Sequence, residues 1–260
     1  MHLFDSRYPF AASATVTHGD ASADDYRQLQ RRLGTQRCVV VQPSSYGREH
    51  RVLLAGMKAL GACARGIAFI DPVVSEQELA ELGTHGVVGV RFNLVQHGST
   101  DESMLSAVAQ LIRPLGWHLQ LHLHAQDLLR LGDELCKMDV EIVLDHFARI
   151  QVEPELAPLV ERKVRQLLST GRGWIKFSGA YIAPIDAPEY RNLDLFAMGL
   201  LADYSDRIVW GSDWPHVTEP HKPDDALLAN LLCRWIPSEQ VRQRILVENP
   251  ERLYRFRASP

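Results

Sequence analysis

Asp213 is the residue whose setting most clearly favours chemistry. It lies in the segment Trp210-Gly211-Ser212-Asp213-Trp214-Pro215-His216, directly after a buried-strand pattern over Arg207–Trp210. Pro215 cannot extend a strand and Gly211 permits unusual backbone angles, so we expect the carboxylate on a stiff turn between two indoles. Burial of a carboxylate is costly unless the group has a chemical task or a partner. A helix-capping aspartate is the alternative that these residues leave open.

Polar side chains also follow the other predicted strands. They are His2, Gln42-Pro43-Ser44, Arg91 with Asn93, His122 with His124, Asp145-His146 with Arg149, and Lys176 with Ser178 and Tyr181. Loops that follow parallel strands converge at one end of a barrel, where barrel enzymes carry their active sites. The sequence therefore predicts an active site at the carboxyl ends of the strands.

Two histidines share one face of a predicted strand. In Trp117–His124 the polar residues alternate with leucine, so one face points into the barrel and His122 and His124 face its mouth. His118 lies deeper and is expected to be structural. A structural role is the alternative for either of the other two histidines.

Two arginines end neighbouring strands in an acidic chain. The formal net charge of -4 argues against a surface that binds nucleic acid. Arg91 and Arg149 are positioned to bind carboxylates, which favours an anionic small substrate, with surface ion pairs as the alternative.

Strands alternate with helices along the whole sequence, the pattern of parallel βα units. The predicted strands are Met1–Asp5, Arg37–Gln42, Gly66–Ile70, Val87–Phe92, His118–His124, Glu141–Asp145, Trp174–Phe177 and Arg207–Trp210. The predicted helices are Asp25–Leu33, Glu49–Leu60, Glu76–Leu82, Met104–Pro114, Asp127–Met138, Glu155–Ser169, Leu193–Tyr204, Asp224–Leu232 and Ser238–Tyr254. We expect residues 1–260 to form a single (β/α)8 TIM barrel domain with C-terminal helices. A doubly wound open sheet is less favoured, because no glycine-rich phosphate loop follows an early strand.

Four scattered cysteines and the absence of a long apolar run bear on location. Cys38, Cys63, Cys136 and Cys233 show no metal or redox spacing and are expected to be reduced thiols. The sequence carries neither a signal-peptide pattern nor an apolar run of the roughly 18 residues that a membrane span needs. We expect a cytoplasmic protein with no membrane partner.

Six strand-end segments, in order, resemble those of the amidohydrolase-related lactonases, a branch of the amidohydrolase 2 type. They are His2–Asp5, Val41–Gly47, Gly89–Asn93, Leu144–Arg149, Ile175–Tyr181 and Trp210–His216, and the tail over Lys222–Asp225 and Glu248–Tyr254 is similar too. The resemblance covers essentially the whole chain. It implies a (β/α)8 barrel that hydrolyses or isomerises lactones of di- or tricarboxylic acids, such as 2-pyrone-4,6-dicarboxylate or sugar-acid lactones.

The resemblance also implies roles for individual residues. Asp213 would be the general base that activates water, while His146 and His2 would polarise the lactone carbonyl. The substrate would be bound by Ser44, Arg91, His122, Arg149, Tyr181 and His216. The expected partner is therefore a small carboxylated lactone.

The first strand departs from the family pattern. The family begins with a His-x-His pair, of which only His2 is present after Met1, so we expect the true start to lie upstream and the first strand to be truncated here. No metal cofactor is expected. Zn²⁺ held by His2, His122, His146 and Asp213 is the alternative.

Three other functions stay open on the sequence alone. They are a lactone isomerase, a metal-dependent decarboxylase of a related branch, and an inactive protein that binds a small acid. The expected assembly is a monomer or a small homo-oligomer.

Overall fold

Seven strands alternate with helices in a computed structural model that describes residues 1–96, 100–183 and 185–257. The strands follow one another across the sheet in chain order: β1 (Cys38–Val41), β2 (Ala64–Ala68), β3 (Val87–Asn93), β4 (His118–His122), β5 (Ile142–Leu144), β6 (Gly173–Phe177) and β7 (Ile208–Trp210). The pairings β1–β2, β2–β3, β5–β6 and β6–β7 are parallel. The predicted α/β class, with helices between parallel strands, is confirmed.

The helices occupy the segments between and after the strands. They are α1 (Ala23–Leu33), α2 (Arg51–Leu60), α3 (Glu76–Thr84), α4 (Leu105–Ile112), α5 (Ala125–Lys137), α6 (Ala157–Ser169), α7 (Asp194–Tyr204), α8 (Asp225–Trp235), α9 (Glu239–Gln243) and α10 (Asn249–Tyr254). Ser22 and Asp25 form a capping box that starts α1 two residues before the predicted position. Ser75 caps α3, since its hydroxyl accepts a hydrogen bond from the Glu78 amide.

The chain forms two compact units. The first consists of Met1–Gln120 and Asp213–Lys222, and the second of Leu121–Ser212 and Pro223–Pro260. Every residue of β3 in the first unit and of β6 in the second is buried, as expected for parallel strands covered on both faces. The predicted single domain over residues 1–260 stays a prediction.

The N-terminal segment is not the continuous strand predicted over Met1–Asp5. The Met1 carbonyl accepts a hydrogen bond of 2.9 Å from the Val41 amide, as in a ladder with β1. Phe4 instead forms an isolated antiparallel bridge with Ala21. The prediction is wrong because the segment turns from one partner to another within a few residues.

Two other predicted elements end differently. β4 stops at His122 rather than His124, because His124 takes the N-cap position of α5. The helix predicted over Ser238–Tyr254 is divided by a π-helical turn at Arg244–Glu248. Pro250 lacks the amide hydrogen that would continue the regular ladder there.

No helix in the described part of the chain is long and apolar enough to cross a membrane.

Candidate active site

Asp213 begins a tight turn that ends at His216. The His216 amide donates to the Asp213 carbonyl at 2.9 Å, and both residues have left-handed backbone angles, with φ of +60° and +57°. Lys222 Nζ donates to the His216 carbonyl at 2.7 Å, which fixes the far end of the turn. The Asp213 side chain is only 13% exposed. The turn predicted from Pro215 is therefore present, and the Asp213 carboxylate is partly rather than fully buried.

His2 lies beside Asp213 as a neutral imidazole. Its Nδ1 is 2.9 Å from the Val41 carbonyl, which can only accept, so Nδ1 carries the proton. Burial, together with the positive charge of Arg91, lowers the pKa of His2 to about 3 despite the opposing effect of Asp213. The unprotonated Nε2 is 3.8 Å from Asp213 Oδ1. A water molecule between these two acceptors would donate one hydrogen bond to each.

Ser44 is held by the side-chain amide of Asn93, for which the sequence predicted no role. The Asn93 Nδ2 group donates to Ser44 Oγ at 2.9 Å and to Gln96 Oε1 at 2.9 Å. Asn93 is the last residue of β3 and is buried, as is Arg91 two residues before it. The bond from Asn93 leaves the Ser44 hydroxyl proton to be donated elsewhere, as carboxylate binding requires.

In the second unit, a left-handed turn follows β5. His146, Phe147, Ala148 and Arg149 all have φ between 53° and 54°, and each such non-glycine residue costs roughly 1–2 kcal/mol. Phe147 secures the turn, since its ring centroid lies 4.8 Å from that of Phe177 and 5.6 Å from that of Trp235. Because His146 and Arg149 are three residues apart on a tight turn, both side chains reach His122.

His122 contacts the two ends of this turn. Its ring meets His146 edge to face with centroids 4.8 Å apart, and its Nε2 lies 3.2 Å from Arg149 Nη1. The guanidinium can only donate, so His122 accepts at Nε2 and is neutral. Burial lowers the pKa of Arg149, and no described residue is a hydrogen-bond partner of its Nε. A partly buried cation held by a neutral imidazole is suited to binding an anion.

The remaining polar groups of the second unit lie on neighbouring loops. His146 Nδ1 is 2.9 Å from Ser178 Oγ, and Asp145 is fully buried in an ion pair of 2.6 Å with Lys176 Nζ. Tyr181 is buried on the helical turn Ala180–Ile182.

The metal alternative requires His2, His122, His146 and Asp213 to converge on one ion. No group of three or more His, Cys, Asp or Glu side chains within residues 1–96, 100–183 and 185–257 is arranged to hold a metal ion. His122 Nε2, whose lone pair a metal would need, faces a guanidinium instead.

The structure thus groups the predicted site residues within each unit. The first unit brings His2 to Asp213, with Arg91 acting on His2 electrostatically. Ser44 is in that unit too, bonded to Asn93, and His216 closes the Asp213 turn. The second unit brings His122, His146 and Arg149 together.

The sequence did not predict the contacts of Asn93 and Ser178 or the ion pair between Asp145 and Lys176. Their signal in the sequence was a polar residue at a strand end, which does not indicate its partner.

Comparison with known proteins gives one family. The profile of the family described as amidohydrolase matches residues 1–256. The 2-pyrone-4,6-dicarboxylate hydrolase of Comamonas testosteroni is 33% identical over 97% of this chain and 88% of its own length. The D-galactarolactone isomerase of Agrobacterium fabrum is 32% identical over 98% of this chain and 89% of its own. A ligand-free crystal structure from Agrobacterium tumefaciens, 30% identical, covers 99% of this chain and 94% of that chain with a TM-score of 0.88.

Proposed function

Because the chain belongs to the amidohydrolase family, we propose that it hydrolyses the lactone ring of a small carboxylated molecule, with water activated by Asp213. The substrate would resemble 2-pyrone-4,6-dicarboxylate or a sugar-acid lactone. The pairing of Asp213 with the unprotonated Nε2 of His2, 3.8 Å apart, is the observation that carries the proposal. Relatives named as lactone enzymes over nearly the whole chain support it.

Asp213 and His2 would prepare the nucleophile together. One O–H group of the water would donate a hydrogen bond to Asp213 Oδ1, and the other would donate to His2 Nε2. This arrangement directs an oxygen lone pair away from both residues. Asp213 takes its proton as the water oxygen bonds to the lactone carbonyl carbon. It returns that proton to the ring oxygen as the C–O bond breaks, leaving a carboxylic acid and a hydroxyl group. His2 thus accepts a hydrogen bond, in place of the donor role that the resemblance implies.

His146 would stabilise the charge that develops on the carbonyl oxygen. It does so as a hydrogen-bond donor, the type of group that serves an oxyanion. The partly buried guanidinium of Arg149 would supply positive charge in the same unit.

The carboxylates of the substrate would be bound by Arg91, Arg149, Ser44 and Tyr181. Arg91 is buried and Arg149 is partly buried, and burial strengthens a charged hydrogen bond relative to one at the surface. His122 contributes by holding Arg149, and His216 by closing the turn of Asp213.

We further propose that the reaction proceeds without a metal or other cofactor, in the cytoplasm, and in a monomer or small homo-oligomer. The guanidinium bonded to His122 supports the first point, since a cation beside this imidazole disfavours a metal ion. The four cysteines are free thiols, in keeping with a reducing compartment.

A panel of carboxylated lactones, followed by proton NMR, tests the proposal. The expected product is the ring-opened acid, formed at the same rate after treatment with a chelator. Failure of the protein to open any carboxylated lactone would contradict it.

Lactone isomerisation is a second candidate, supported by the relative named D-galactarolactone isomerase. The same proton-transfer groups would serve it, with a substrate hydroxyl replacing water as the nucleophile. The NMR spectrum distinguishes the two, since an isomerase forms a second lactone with no net uptake of water.

A further inference from the structure

A buried hydroxyl group contacts the ring of His146. Ser178 lies directly after β6 and His146 is the second residue after β5, and their relative exposures are 5% and 3%. The distance of 2.9 Å between Ser178 Oγ and His146 Nδ1 is that of a hydrogen bond. A buried pair of this kind is ordered by the bond.

The direction of this bond follows from what Ser178 can reach. Within the described residues, His146 Nδ1 is the one polar atom that lies in hydrogen-bond contact with the Ser178 side chain. A buried hydroxyl proton without an acceptor is costly, so Ser178 donates and Nδ1 accepts. The proton of the neutral imidazole is then on Nε2.

Gly179 holds the same ring from a second side. Its φ is +66°, and a Cβ there would lie 2.9 Å from His146 Nδ1 and 3.1 Å from its Cγ. Only glycine lets the backbone pass so close to the imidazole. Gln151 Nε2 donates to the Gly179 carbonyl at 3.1 Å and fixes the peptide that makes this approach.

We propose that Ser178 is a positioning residue that fixes His146 in the Nε2–H tautomer, so that a neutral hydrogen-bond donor is presented to the reacting oxygen. The catalytic consequence rests on the proposed function, in which His146 stabilises the carbonyl oxygen. The tautomer itself does not depend on it. The opposite tautomer would present a lone pair and repel a developing oxyanion.

Nitrogen-15 NMR of histidine-labelled protein tests the tautomer directly. In the native protein, Nε2 of His146 should give a pyrrole-type signal and Nδ1 a pyridine-type signal. Ser178→Ala should move both signals toward an average of the two tautomers. Pyrrole-type nitrogen at Nδ1 in the native protein would overturn the proposal, as would unchanged signals in the variant.

Kinetics test the consequence with any lactone that the protein turns over. Ser178→Ala should lower kcat about tenfold, the loss expected for one buried hydrogen bond, with KM changed less than about twofold. Ser178→Thr keeps the hydroxyl and should restore most of the rate. Ser169→Ala removes an exposed serine hydroxyl that bonds only its own helix, and should match the native protein. An unchanged kcat in Ser178→Ala would contradict the positioning role.

The two proposals fail in different ways. If no lactone is turned over but the NMR signals are as expected, the proposed function fails and the assignment of the tautomer stands. If a lactone is opened but the proton is on Nδ1, the assignment of the tautomer fails and the proposed function stands.

Discussion

At the scale of single residues, the neutral state of His2 supports the role as a base that we propose for Asp213. A protonated imidazole at 3.8 Å would stabilise the carboxylate and make it a weaker base. Burial and the charge of Arg91 keep His2 unprotonated, with a pKa of about 3. Asp213 therefore faces an acceptor, and a water molecule can be shared between the two.

Arg149 should determine substrate affinity more than turnover. Arg149→Lys keeps the charge but loses the planar guanidinium that can bond His122 and a carboxylate together, so KM should rise about tenfold or more with a smaller change in kcat. Steady-state kinetics on a carboxylated lactone measure this. Arg162→Lys, on the exposed face of α6, is the matched control and should be silent. A native KM in the Arg149→Lys enzyme would exclude Arg149 from carboxylate binding.

The types of the site residues could be predicted from the sequence, but their contacts could not. Asp213, His146 and Arg149 follow buried strands, and this position is visible in the pattern of apolar residues. Nothing in the sequence shows that Asn93 bonds Ser44, or which ring nitrogen of His2 carries the proton. Those facts depend on distances between loops that are far apart in the chain.

At the scale of elements, the left-handed turn His146–Arg149 is the feature that is hardest to predict from the sequence. It contains neither glycine nor asparagine, the residues that usually adopt this conformation. Its strain is offset by the packing of Phe147 on Phe177 and Trp235. The strand before it was predictable, because β-strand patterns are local, whereas this packing joins β5, β6 and α8.

Alanine substitutions at Gly179 and Gly34 distinguish the effect of backbone strain from that of steric contact with the site. Both have positive φ, of +66° and +70°, but a Cβ at Gly34 meets nothing within 4 Å. Gly34→Ala should therefore cost about 1 kcal/mol of unfolding free energy and leave activity unchanged. Gly179→Ala should cost more and lower kcat, since the new Cβ displaces the His146 ring. Urea unfolding measures the stability of each variant, and steady-state kinetics measure its kcat. Equal losses of stability and equal kcat values in the two variants would contradict the close contact between Gly179 and the His146 ring.

At the scale of the whole molecule, the βα alternation could be predicted because each strand and helix has its own apolar period. The ends of elements were harder, as at Met1–Asp5, where the hydrogen bonds go to separate partners. The net charge of -4 bears on how an anionic substrate would be attracted to the protein. An anionic substrate must be drawn by local groups such as Arg91 and Arg149 rather than by the overall field.

Stability should fall as the pH drops below neutrality. The pKa of His2 is about 3 when folded against an ordinary 6.5, so between these values the unfolded chain binds a proton that the folded chain does not. The free energy of unfolding then decreases with falling pH, by roughly 2 kcal/mol from His2 between pH 7 and pH 5. Burial lowers the pKa of His50 as well and acts in the same direction.

Urea unfolding at pH 7 and pH 5 measures this loss. His2→Gln should lose less stability over the interval than the native protein. His221→Gln, at an exposed position, should lose as much as the native protein. An equal loss in native protein and His2→Gln would contradict the depressed pKa.

The most direct test of the account is the rate of lactone opening by Asp213→Asn. Asparagine keeps the shape of the side chain but cannot take a proton from water, so turnover should fall by about a thousandfold or more, while circular dichroism and urea unfolding show an intact fold. Asp24→Asn, at a position 82% exposed, should retain native activity. An Asp213→Asn enzyme that opens the lactone within about tenfold of the native rate would show that Asp213 is not the base.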